Sequence, residues 1–385
     1  MTRRRPLRAL ARRAGRAALL LLAGLAFACA APAATPAPAG PAASAPGAPA
    51  AAATPSAAPA AAASPAASAT PSKVRVGIVG SLVDGPIFIA QDRGYFAEEG
   101  LDVEEVRADG ATQLMAPLAA GQIEILGASM SAGFYNAFAR DIDVRIVADK
   151  GRIPPGHGNA GLVARKDLYD SGAVRSLADL RGRRVGLAGY GAGSAVTLFL
   201  GHGMETHGLS LADVDAVDIV LGDLNAALAN GSLDAAIQIE PLLTVGLTNG
   251  FYGLIMRSDE LYPDLQSGFV LYAADFIRDQ NEVGRRWMVA YLRGVRDYAD
   301  AFDRNRDRDE VIAILARNTG VKDTSLYDRM VSSYMDPNGR LNVPTLVEAQ
   351  DWFAAHGYIP RKVDVPSLID YQFVDYAVGV LGEYH

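Results

Sequence analysis

Short β-branched runs alternate with amphipathic stretches from Lys73 onward, and the alternation restarts at Ser176. That order constrains the chain more than any other feature, because parallel strands need long crossovers, usually helices, to join them. Residues 74–80 form a β-branched run closed by glycine, a first strand. Pro86 opens a helix through Phe88, Ile89, Tyr95 and Phe96, with Gly100 at its C-terminal end. Strands follow at 101–106, 123–127 and 144–148, separated by helices over 112–120 and after Ser131. In the second half Ser176 starts a short helix ended by Gly182, and 184–188, 217–220 and 235–239 read as strands. The expectation is an α/β fold whose largely parallel sheets carry helices on both faces.

Beyond residue 283 the chain reads as helical. Val283, Trp287, Met288, Tyr291, Leu292, Val295, Tyr298 and Phe302 recur at helical spacing and are assigned to the core, not to a cofactor box. Residues 118–124 (Leu-Ala-Ala-Gly-Gln-Ile-Glu) echo 228–234 (Leu-Ala-Asn-Gly-Ser-Leu-Asp). Each copy is a helix end, a glycine and an acid leading into a strand, one copy per α/β unit. The echo points to two related lobes.

Charge narrows the function. The first 72 residues hold seven Arg and no acid, so the remaining 29 basic residues face all 43 acidic ones, a net of -14. Such a body repels phosphate backbones, and no nucleic-acid partner is expected. The single Cys excludes an intramolecular disulfide framework and a Cys-rich zinc module. The turn at 189–193 lacks a nucleotide fingerprint, since Ser194 stands where the third glycine belongs. His202 and His207 lie five residues apart, about 500° around a helix, away from a shared metal face. Neither a Gly-x-Ser-x-Gly elbow nor a Cys–His nucleophile is present. No catalytic residue, metal or cofactor is therefore expected. Residues 150–158 read as a surface loop from which Lys150, Arg152 or His157 could overhang a cleft and meet an anion.

The N-terminus is organised differently. Arg-rich residues 3–16, an apolar run over 17–31 and small residues at Ala26-Phe27-Ala28 form a secretory signal over 1–28. Fifteen apolar residues span roughly 22 Å, short of a ~30 Å hydrocarbon core. Leu25-Ala26-Phe27-Ala28-Cys29 resembles a bacterial lipobox, which would make Cys29 the lipidated mature N-terminus; ordinary cleavage after Ala28 is the alternative. Residues 30–72 are nearly all Ala, Pro, Ser, Thr and Gly, with nothing to bury against their ordering entropy. They read as a disordered tether, so 29–72 would link a membrane anchor to the folded body.

Four motifs carry a family resemblance. Gly94-Tyr95-Phe96-Ala97-Glu98-Glu99-Gly100-Leu101-Asp102-Val103 is similar to a Gly-Tyr-Phe-x-x-x-Gly-Leu-Asp-Val signature. The Leu-x-x-Gly-x-x-Asp/Glu element, Ser176-Leu177-Ala178-Asp179-Leu180-Arg181-Gly182 and Glu240-Pro241 agree with it. Together they resemble the nitrate/sulfonate/taurine group of ABC-importer binding proteins, which also includes pyrimidine-precursor and riboflavin binders. The resemblance implies a two-lobe type II periplasmic-binding fold with two crossover strands. Lobe 1 would be 73–163 plus 268–385 and lobe 2 would be 164–267, with crossings near 161–163 and 269–271.

It further implies a ligand held where strand ends and helix N-termini converge. Four places fit: Ser81, Leu82 and Asp84; Ser129, Met130 and Ser131; Tyr190, Gly191, Gly193 and Ser194; and Gln238 with Glu240. For each serine the simpler role is a helix N-cap. Phe88, Phe134, Tyr135, Tyr190 and Tyr272 would favour a planar ring, while Lys150 or Arg152 would favour an anion. The first loop reads Val83-Asp84-Gly85-Pro86, without the Asn and His of pyrimidine-precursor binders. The implied function is non-catalytic: an exported, lipid-anchored monomer facing the periplasm or cell exterior. It would bind an aromatic, heterocyclic, sulfonate or carboxylate solute and pass it to an ABC permease and its ATPase. The alternatives are a riboflavin or thiamine-pyrimidine-precursor binder of the same family, a sensory ligand-binding lipoprotein that transports nothing, and an enzyme on the same fold.

Overall fold

A computed structural model describes residues 70–140 and 142–385. The signal segment, Cys29 and all but the last residues of the tether lie outside the described residues. Among the described residues there are ten strands: β1 (Ser72–Ile78), β2 (Leu101–Arg107), β3 (Ile125–Ser129), β4 (Val144–Ile153), β5 (Ala160–Arg165), β6 (Arg184–Leu187), β7 (Asp215–Asp218), β8 (Ala235–Ile239), β9 (Tyr252–Arg257) and β10 (Leu265–Ala273). They form two five-stranded sheets, ordered β2-β1-β3-β10-β4 and β7-β6-β8-β5-β9. In each sheet three strands run parallel and the strand entering from a crossing runs antiparallel: β10 against β3 and β4, β5 against β8 and β9. This is the two-lobe α/β fold expected from the strand–helix alternation.

Burial follows strand position. Edge strand β2 buries only Leu101, whereas inner β10 buries Phe269, Val270, Leu271 and Tyr272 in succession. The helices that matter below are α1 (Gly85–Asp92), α2 (Ala111–Ala119), α3 (Ala132–Phe138), α4 (Ala195–Glu205), α5 (Leu224–Ala229), α6 (Asn281–Asp303) and α7 (Val343–Ala355). The apolar stripe lies on α6, where Trp287, Met288, Tyr291, Leu292, Val295 and Tyr298 are buried. One core cluster runs from lobe 1 through α4 and into the inner face of lobe 2, and a smaller one fills the rest of lobe 2. Among the described residues no helix is long and apolar enough to cross a membrane.

Some boundaries differ from expectation. Residues 161–163 lie inside β5 in the second sheet, and 269–271 inside β10 in the first. The chain therefore crosses between sheets at 154–159 and 258–264, a few residues before the places expected. The cause is that the crossing segments themselves carry too little β pattern to pair. The helix from Pro86 stops at Asp92, because Gly94 adopts a φ of 76°, and a separate turn follows at Tyr95–Glu98. Lys150 and Arg152 belong to β4, which continues to Ile153 by pairing with β10 through register shifts.

Candidate ligand site between the lobes

The parallel strands of both sheets end towards the crossings, so the loops after β1, β3, β6 and β8 share one region. In the first loop, the Ser81 N–H and hydroxyl donate to Asp84 Oδ2 at 2.9 and 3.3 Å. Leu82 is buried, and Asp84 is fully buried with Lys150 Nζ 2.8 Å from its Oδ1. Lys150 is itself 1% exposed. A Cβ on Gly127 would lie 2.4 Å from Lys150 Cε, so only glycine at that point of β3 lets the ammonium reach the carboxylate. Lys150 thus faces the interior rather than overhanging a cleft: a strand pairing and a buried acid outcompete the loop suggested by its glycine-rich neighbours.

The second and third loops meet. Ser131 and Ser194 form an antiparallel bridge between lobes, and the Ala132 N–H donates to Gly193 O at 2.9 Å. A Cβ on Gly193 would fall 2.9 Å from both Ala132 and the Tyr358 ring, so this approach requires glycine. Ser131 Oγ accepts the Phe134 N–H at 3.4 Å, the N-cap role. Met130 is buried under the Tyr135 hydroxyl, and Ser129 is exposed. Beside Ser129, Ser131, Thr112, Met115 and Phe134 lies a recess of about 10 Å³, room for roughly one water.

In the third loop, Gly189, Tyr190 and Gly191 donate their N–H groups to the Asp218 carboxylate at 3.0, 3.3 and 3.1 Å. Ser194 Oγ donates to Ala188 O at 2.6 Å, tying the loop to itself. Burial, with the neighbouring Tyr190 phenol, pushes the Tyr358 phenol up to about 12.

The fourth place is less open. Gln238 is fully buried; its Nε2 donates to Asn225 Oδ1 at 2.9 Å, and the Tyr252 hydroxyl donates to the same oxygen at 3.0 Å. Glu240 follows β8, its Oε2 accepting the Thr244 N–H at 3.0 Å, with Arg257 Nη1 3.7 Å from Oε1. Burial pushes its carboxyl above the ordinary range, against the bonds from Thr244.

Two further seams join the lobes. On one side Trp352 of α7 sits over Gly201 of α4, and Glu205 accepts from Trp352 Nε1 at 3.0 Å and lies 2.7 Å from His356 Nε2. His202 stacks on Tyr262 at 3.9 Å and His207 Nδ1 meets Gly203 O, so the His–Glu–His group diverges. On the other side Arg329 of lobe 1 donates to Thr248 Oγ1 of lobe 2 at 3.2 Å; next to the crossings Arg152 bridges to Tyr334 and pairs with Asp264 at 2.6 Å, while Asn159 donates to Ser333 at 3.0 Å. Behind it Asp149, fully buried, accepts the Gly151 and Asp336 N–H groups at 2.9 and 2.6 Å. Burial nevertheless pushes its carboxyl up to about 7.

The structure thus brings Ser131 against Gly193 and Ser194 across the lobes, with Ser129 at the end of β3 and Tyr190 and Gly191 in the turn after β6; Ser81 and Glu240 lie in the loops after β1 and β8. Leu82, Asp84, Met130 and Gln238 lie behind them, bonded or packed within their own lobes. Of the aromatic group, Phe88, Phe134, Tyr135 and Tyr272 are core, and only Tyr190 is partly exposed. Asp218, Asn225 and Tyr358 were not singled out from the sequence. Each acts through a contact more than ten residues distant, and a lone Asp at a strand end carries no spacing signal.

Comparison with known proteins fits this geometry. The family model described as NMT1/THI5 like matches residues 84–302. An Escherichia coli (strain K12) protein named for binding aliphatic sulfonates is 24% identical over 213 residues, covering 52% of this chain and 61% of its own length. The chain therefore spans about three fifths of that relative. The alkanesulfonate-binding protein SsuA of Xanthomonas axonopodis pv. citri, solved bound to MOPS, shares the fold at a TM-score of 0.62 and 21% identity, over 79% of this chain and 99% of that one. The desulfurization enzyme DSZB also shares it, at a TM-score of 0.57 and 14% identity, over 80% and 99%. At these identities the solved structures speak to fold alone. With the family model covering more than half of its length, the chain belongs to the NMT1/THI5-like family, on the two-lobe α/β scaffold of the type II binding proteins.

Proposed function

We propose that the protein captures a small organic solute between its lobes and delivers it to the permease of an ABC importer. The carrying observation is the meeting of Ser131 with Ser194 across the lobes, at the strand ends where α/β folds bind ligands. The recess there has room for about one water, so a solute enters when the lobes part and is enclosed when they return. Ser129, Ser131, Tyr190, Gly191, Gly193 and Ser194 would form the contact surface, flanked by Ser81 and Glu240. Leu82, Asp84, Met130 and Gln238 would set the wall behind. No bond-making step is assigned, since the Asp218 and Glu240 carboxylates are bound to backbone N–H groups within the fold. Export, anchoring through a lipid on Cys29, a monomeric state and docking to a permease with its ATPase complete the proposal.

The test is a thermal-shift screen of the purified protein against sulfonates, aromatic carboxylates, pyrimidines and flavins. A ligand at 1,000 times its Kd adds about 4 kcal/mol, which moves the midpoint by several degrees. One chemical class should give a saturable shift, and Tyr190→Ala and Ser131→Ala should shrink that shift. Shifts are compared within each variant, because loss of the Ser131 cap alone costs about 1 kcal/mol. A folded protein silent to every class would reject the reading.

A further inference from the structure

The turn after β6 is an anion-binding device that is already filled. Three successive backbone N–H groups, from Gly189, Tyr190 and Gly191, converge on one carboxylate, that of Asp218 at the end of β7. Successive amides in such a turn form the concavity that elsewhere holds phosphate or other oxyanions. Gly189, with a φ of 70°, sets the curvature, and a Cβ on Gly191 would stand 3.4 Å from Asp218 Oδ2. The turn lies at the lobe junction, since Gly193 and Ser194 of the same loop touch Ala132 and Ser131.

The cations near the strand ends are matched in the same way. Lys150 faces Asp84 at 2.8 Å, Arg152 faces Asp264 at 2.6 Å and Arg107 faces Glu105 at 2.7 Å. Arg257 lies 3.7 Å from Glu240. A small oxyanion entering this region would meet an occupied amide turn and neutralised cations, with the Asp218 charge against it.

We propose that Asp218 is a built-in anion, and that the site in consequence takes a solute without net negative charge, a neutral or zwitterionic organic molecule, rather than a small oxyanion. The inference rests on the solute-capturing role proposed above and names its ligand by charge. It separates this chain from the sulfonate-binding proteins it resembles.

The experiment is calorimetric titration of the full-length protein, wild type and Asp218→Ala, with ethanesulfonate, and of the wild type with nicotinamide and cytosine as neutral probes. Asp218 is exposed and its removal leaves three amides free for water, so the variant should fold; circular dichroism checks this, and Asp218→Asn supplies a second uncharged variant. The expected result is no saturable ethanesulfonate signal from wild type and a gain of at least ~10-fold in affinity in Asp218→Ala, weakening as salt rises. Saturable ethanesulfonate binding by the wild type overturns the inference while leaving a solute-capturing protein intact. So does a folded Asp218→Ala that ignores ethanesulfonate, because the turn would then not be an anion site. Failure of the broader reading looks different: the variant gains the anion, yet neither the neutral probes nor any other solute class stabilises the wild type.

Discussion

The two lobes are built on one plan and differ in what they bury at the cleft. Arg75-Val76-Gly77-Ile78 of β1 corresponds to Arg184-Val185-Gly186-Leu187 of β6, each paired in parallel with the third strand of its sheet. Glu124 accepts the Arg75 N–H at 2.7 Å, and Asp234 accepts the Arg184 N–H at 3.0 Å, before equivalent strands. Behind the cleft the likeness ends. Lobe 1 buries charge: the Asp84–Lys150 pair and, one residue along β4, Asp149. Lobe 2 buries a neutral network of Gln238, Asn225 and Tyr252, with the Glu240 carboxyl beside it. A neutral network loses about the value of its hydrogen bonds when cut, whereas a buried ion pair leaves an unpaired charge. The wall behind the cleft is therefore less forgiving in lobe 1 than in lobe 2.

The largest effect tests that contrast. Lys150→Met should destabilise the protein by about 3–5 kcal/mol, because Asp84 is left buried without its counter-ion. Adding Asp84→Asn should recover most of the loss. Urea unfolding of the single and double variants measures both. A single-variant cost below ~1 kcal/mol would mean that the pair is solvated and that the lobes differ less than their contacts indicate.

The plan was legible in the sequence; its wiring was not. Strand and helix alternation, the α6 stripe and the twin Gly-x-x-acid elements place both lobes because they depend on local periodicity and turn chemistry. The four strand-end loops are legible for the same reason, as ends of recognisable strands. Lys150 was misread as a loop residue because its environment is set by Asp84, 66 positions earlier, and by the glycine at 127. Strand β9 went unnoticed, since Tyr252–Arg257 is short and follows a glycine without alternation. Asp218 was invisible in its role because three backbone amides, which no residue code specifies, define it.

The pH response should also come mainly from lobe 1. Burial raises the Asp149 carboxyl to about 7, above its unfolded value of 3.8. The native state then holds a proton that the unfolded chain has released, so this stability is present below the unfolded value and is lost as pH rises through about 7. Glu240 in lobe 2 shifts in the same direction, by burial. Between pH 5.5 and 8 the Asp149 contribution should fall by about 2 kcal/mol. Asp149→Asn should flatten that part of the profile. An unchanged slope in the variant would show that the Gly151 and Asp336 N–H groups keep Asp149 ionised throughout.

The smallest effect probes what the lobes share. Glu124 meets the Arg75 guanidinium as well as its N–H, whereas Asp234 meets the Arg184 N–H and stands 3.3 Å from Arg165. Each acid pins the first strand of its lobe to the third through about one hydrogen bond's worth of net stability, ~1 kcal/mol, with a further increment for the charged partner. Glu124→Ala and Asp234→Ala should accordingly cost about 1–2 kcal/mol each, with Glu124 the larger. Because one core cluster spans lobe 1, α4 and part of lobe 2, both variants should unfold in a single transition. A second transition appearing only in Asp234→Ala would show that lobe 2 melts on its own, and that the shared core couples the lobes more weakly than its continuity implies.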